Sequence, residues 1–206
     1  MVKLLFIEIK TNLIKLYLGN LFLLLGGLFI FDASNLSHDR VTQFIELIFI
    51  LLDIILFTSI YTIDKSKHSI LVLNTKYYDY HLIFILRVVL TIVFITILIT
   101  INLIILYVFN SSILITKNAF IAFTSSLFIG TLCLLISIII HNALSGFMVG
   151  LVYFLLCLGF RNLGFIYLFS ETFKYPFYIK VIQFILGSIG LITCDYWMKK
   201  RKFNTY

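Results

Sequence analysis

Asp64–Arg87, DKSKHSILVLNTKYYDYHLIFILR, is the one long polar and basic interruption in a chain that otherwise alternates apolar runs with short breaks. Long apolar stretches enter and leave it, so its reading decides the fold. Of the 206 residues, 62% are hydrophobic and 12% charged, against about 45–50% and about 25% in typical soluble domains. A water-soluble fold of this size has too little interior to hide that much apolar surface. A bilayer solvates it, and the chain has room for several spans of about 20 residues. The composition therefore predicts an all-α integral membrane protein in which residues 64–87 form a loop.

Upstream, residues 1–15 read as an amphipathic interfacial helix. Val2, Leu5, Phe6, Ile9 and Leu13 share one face, and Lys3, Glu8, Lys10, Asn12 and Lys15 occupy the rest. Such a helix lies at the membrane surface with its lysines toward the headgroups. A lysine-flanked start to the first span, or a signal peptide without a clear cleavage site, are the alternatives. Six spans follow, at about 16–31, 44–63, 82–109, 119–140, 143–160 and 181–198. His141 and Asn142 make a very tight break between the fourth and fifth, where one long or re-entrant helix is the alternative. The stretch RNLGFIYLFSETFKYPFYIK, Arg161–Lys180, is aromatic, mixed in charge and too polar to cross. No stretch is long and polar enough for a separate soluble domain, so residues 1–206 read as a single transmembrane domain.

The formal charge of +7 invites a nucleic-acid partner. The cations instead gather at the ends of apolar runs, where they orient a membrane protein against its lipids. With the N-terminus inside, Lys3, Lys10, Lys15, Lys65, Lys67, Lys76, Arg87, Lys199, Lys200, Arg201 and Lys202 are cytoplasmic. Arg40, Lys117, Arg161, Lys174 and Lys180 are then outside, so eleven of the sixteen cations lie inside. This asymmetry predicts both termini, and the 64–87 loop, in the cytoplasm. The abundance of Ile, Lys and Asn suggests an AT-rich bacterial genome, and with it a bacterial cell membrane as the location.

Ionisable groups inside spans mark function by default, because each is costly in hydrocarbon. Glu46 and Asp53 lie seven residues apart on one helical face of span 2. They read either as the lining of a polar pathway or subunit interface, or as a protonated or hydrogen-bonded Asp53 with Glu46 solvated near the surface. Asp195 precedes the cationic tail and reads as solvated or paired with it. Catalytic signatures are missing: the four histidines are scattered, and neither H-E-x-x-H nor G-x-S-x-G occurs. Cys133, Cys157 and Cys194 lack metal-ligand spacing and read as packing residues. No G-x-x-x-x-G-K-[ST] loop is present, so energised work by that route needs another polypeptide. Gly146 and Gly150 form a G-x-x-x-G that lets backbones approach closely, within the chain or between two chains. Thr124, Ser125 and Ser126 could line a pathway, but bonding to their own helix backbone is the commoner fate of such hydroxyls.

The layout resembles the membrane subunits of type 2 ABC transporters, which are mostly exporters. The matching features are the amphipathic entry helix, six spans with both ends inside, and the external segment Arg161–Lys180, which the resemblance implies is partly buried. It further implies a short cytoplasmic coupling helix between spans 2 and 3, here Asp64–Lys65 and Ser69–Lys76, although the Gly-Thr pair common at its entry is missing. Lys65, Lys67, Ile70, Leu71, Leu73 and Lys76 would then dock a separate ATPase, which carries ATP and Mg. A second copy or a related permease would complete the pathway for a hydrophobic or amphipathic substrate such as a peptide, drug or lipid. The competing functions are a small membrane enzyme, an immunity or scaffold protein without transport activity, and the substrate-binding component of another transporter.

Overall fold

The computed structural model describes residues 13–31, 36–62, 80–109, 111, 113–160 and 164–203. Six α-helices make up the regular structure among these residues: α1 (Ile14–Ile30), α2 (His38–Thr62), α3 (Tyr80–Val108), α4 (Ile115–Ile140), α5 (Ala143–Gly159) and α6 (Tyr178–Phe203). A short 3₁₀ turn, Gly164–Ile166, lies between α5 and α6. Sequence periodicity alone would not make α3 a helix, since its run of Ile, Val and Thr has the composition of a strand. The bilayer decides the matter. A lone apolar segment in lipid can satisfy its N–H and C=O groups only internally, and the α-helix does so.

Four helices, α2, α3, α4 and α6, are long and apolar enough to cross a membrane. They run 25, 29, 26 and 26 residues, or about 37–44 Å at the helical rise. The described parts of α1 and α5 are apolar and 17 residues long, about 26 Å against a hydrocarbon core of about 30 Å. Several helices extend beyond the spans drawn from hydropathy. α2 begins at His38 rather than Phe44, α4 at Ile115 rather than Ala119, and α6 runs from Tyr178 to Phe203 rather than from 181 to 198. Backbone hydrogen bonding continues through polar residues at the membrane rim, whereas a hydropathy average stops at them.

The His141–Asn142 break separates two distinct helices. His141 adopts a left-handed conformation (φ 61°, ψ 25°) and ends α4. The Asn142 side chain caps α5 by accepting the Leu144 N–H at 3.1 Å. The two helices turn back on each other, with Gly146 and Gly150 of α5 against Cys133 and Ser137 of α4. This seam lies within the chain. Gly187 of α6 does the same on another side of α4: an added Cβ would sit 3.1–3.2 Å from backbone atoms of Leu127 and Phe128.

α2 and α4 are thus the most buried helices, wrapped by the other four. Phe44, Phe49, Leu56, Phe84 and Leu98 belong to one apolar core built by α1–α4 with Cys194 and Met198 of α6. Ile50, Ile54, Ile129, Phe154 and Phe169 belong to a second, which includes the segment after α5. The outer surface is equally apolar: Phe22 is 76% exposed, Phe29 88% and Ile192 70%. Apolar residues inside and out are what lipid solvation requires, since the hydrocarbon asks no polar face of the helices.

Candidate functional site

Between α5 and α6 the chain folds back onto the end of the bundle. Tyr167, Leu168, Phe169 and Ser170 are buried. Tyr167 meets Phe169, Phe173 and Tyr175 at ring separations of 5.6–6.1 Å, and Phe169 packs edge-on against Phe154 of α5 at 5.7 Å. Two ion pairs tie down its rim, an exposed one from Lys174 to Asp39 at 3.0 Å and one from Lys117 to the largely buried Glu171 at 2.9 Å.

Beneath this segment lies a buried ion pair. Glu46 stands two turns into α2 and Lys180 in the first turn of α6, and neither side chain has any exposure. The Lys180 ammonium makes three contacts at 2.8 Å: Glu46 Oε1, Ser125 Oγ of α4 and the Leu168 carbonyl. An ammonium has three protons, so its donors are all used. Glu46 also accepts from the Glu171 N–H at 3.3 Å, the Thr172 N–H at 3.0 Å and the Thr172 hydroxyl at 2.6 Å. One turn further along α6, Gln183 Nε2 donates to the Tyr167 carbonyl at 2.7 Å. Three helices and the α5–α6 segment therefore meet on one charge pair.

These contacts change the readings of Glu46 and Lys180. Glu46 is not solvated near a surface but fully buried, with both oxygens held inside the chain. Lys180, counted with the outer cations, is withdrawn from solvent. The sequence does carry a signal for it, a lone lysine at the head of an apolar span, at the same depth as an acid in another. Arg87 likewise belongs to α3 and is buried rather than lying on a loop. The α4 hydroxyls also depart from expectation. Ser125 serves Lys180, and Thr124 Oγ1 and Ser126 Oγ have no partner, although Thr131 and Ser137 do bond their own helix carbonyls.

Asp53 sits past the midpoint of α2 on the Glu46 face, fully buried, with neither oxygen hydrogen-bonded. At the opposite end of the bundle, Asp195 accepts from Lys199 at 2.8 Å and bonds His81 of α3. Beside that pair an apolar groove of about 330 Å³ runs between α3 and α6, lined by Phe84, Val88, Ile92, Leu191 and Ile192. No cluster of three His, Cys, Asp or Glu side chains suited to a metal occurs among the described residues. Lys65, Lys67, Ile70, Leu71, Leu73 and Lys76, and most of the N-terminal helix, lie outside the described residues.

The fold and the buried charge site define an all-helical, multi-pass membrane protein. No family model, curated protein or solved structure matches the chain.

Proposed function

We propose that this chain is the membrane-spanning subunit of an ABC exporter, driven by a separate ATPase and paired with a second permease in a bacterial cell membrane. The observation that carries the reading is the α5–α6 segment, folded into one end of a bundle of apolar helices and fastened there through Glu46 and Lys180. It supports the partly buried external segment expected of such subunits. α2 supplies the mechanical link. One of its ends leads toward residues 64–76, the stretch where an ATPase would dock, and Glu46 near its other end holds the outer segment. A helix of 25 residues transmits a push along about 37 Å. Movement of the docked ATPase would thus tilt α2, strain the Glu46–Lys180 attachment and switch access between the two faces. The mixed apolar surface suits a hydrophobic or amphipathic substrate.

Purification in mild detergent, with mass spectrometry of co-purifying proteins, tests the proposal. The expected result is a stoichiometric ATPase, lost about tenfold or more when Leu71→Asp or charge reversal at Lys65 and Lys67 costs about 1.4 kcal/mol of docking energy. A folded wild-type chain that purifies without an ATPase would sink the proposal, as would retention of the ATPase by the folded variants.

A further inference from the structure

Two carboxyl groups on one face of α2 are equally buried and oppositely provided for. Glu46 has an ammonium and three further donors. Asp53 has 0% exposure and, among the described residues, no hydrogen bond to either oxygen and no ion-pair partner. Ser126 of α4 is the neighbouring hydroxyl, a neutral group that supplies no counter-charge.

Among the described residues, the helices packed around α2 bring no counter-charge to Asp53. Cys133 of α4 is a buried free thiol, which offers no cation. Tyr153 of α5 donates to the Ile166 carbonyl, and Tyr17 of α1 bonds Thr91 of α3. Lys180 of α6 is committed to Glu46, Ser125 and Leu168. Arg87 of α3 forms no pair with Asp53, whose oxygens are both without a partner. A carboxylate in this place would have neither water nor an opposite charge to replace it, so the group takes up a proton instead.

We infer that Asp53 is a proton-binding site, held as the neutral acid in the folded protein. α2 carries this site and the Glu46 attachment together. A rearrangement of α2 that admitted water to Asp53 would release the proton, so proton exchange here is coupled to movement of that helix, whatever drives it.

Infrared spectroscopy of the purified full chain in lipid nanodiscs at neutral pH tests this. The carbonyl stretch of a protonated carboxylic acid should be present in the wild-type protein. It should move when all aspartates are isotopically labelled in the side-chain carboxyl, a readout that needs no variant. The band should vanish in Asp53→Asn and persist in Glu46→Gln. Absence of the band from the wild-type protein, or its failure to move on aspartate labelling, would overturn the inference. So would its persistence in folded Asp53→Asn, or its displacement by sodium at constant pH, which would make the ligand a metal cation.

Discussion

Removing one partner of the Glu46–Lys180 pair is the sharpest perturbation the fold offers. In Lys180→Met the thioether fills much of the same volume, but Glu46 loses its counter-charge, and Ser125 Oγ and the Leu168 carbonyl lose their donor. Breaking a buried pair from one side costs about 3–5 kcal/mol. Glu46 keeps the Glu171 and Thr172 donors, which places the expected loss near the lower end, about 3 kcal/mol. Glu46→Gln keeps the shape and removes the charge, leaving Lys180 buried with only neutral acceptors, at about 2–3 kcal/mol. With both changed, no uncompensated charge remains. The double variant should therefore be less destabilised than the two losses added together, with a coupling energy of about 2 kcal/mol. Unfolding in mixed micelles of mild and denaturing detergent, followed by circular dichroism, measures all four proteins. Single variants within about 0.5 kcal/mol of wild type, or strictly additive losses, would refute the view that this pair holds the segment to the bundle.

Two further substitutions probe the helix contacts in the same assay. Gly187→Val should cost about 1–3 kcal/mol, because the new side chain meets α4 backbone that cannot step aside. Gly26→Ala, where a Cβ meets nothing within 4 Å, should fall within about 1 kcal/mol of wild type, on the stabilising side; equal effects at the two sites would contradict the packing. Asn142→Ala removes the α5 cap and should cost about 1 kcal/mol, mostly recovered by Asn142→Ser. A silent Asn142→Ala would mean that the cap does not hold the tight turn.

The local features were legible because each is written in neighbouring residues. Long runs of Ile, Leu, Val and Phe announce the apolar helices, and His141–Asn142 announces the turn, with Asn142 a good capping residue. Helix ends were less legible, as at His38 and Ile115, because hydrogen bonding continues where hydropathy falls. Lys180 was misplaced for a related reason. Orientation rules count cations by their position along the chain, and they cannot see that this ammonium turns inward onto Glu46, Ser125 and Leu168.

The sequence by itself determined that this chain belongs in a bilayer, that its backbone must be helical there, and where the apolar runs break. It also put Glu46 and Asp53 on one face of the same helix, seven residues apart, as two similar acids. Only the tertiary structure decided that one of them meets a lysine and three more donors while the other meets none. The physical reason lies in range. Helix formation and membrane solvation are set by nearby residues, whereas the state of a buried charge is set by what other helices bring within about 3 Å of it.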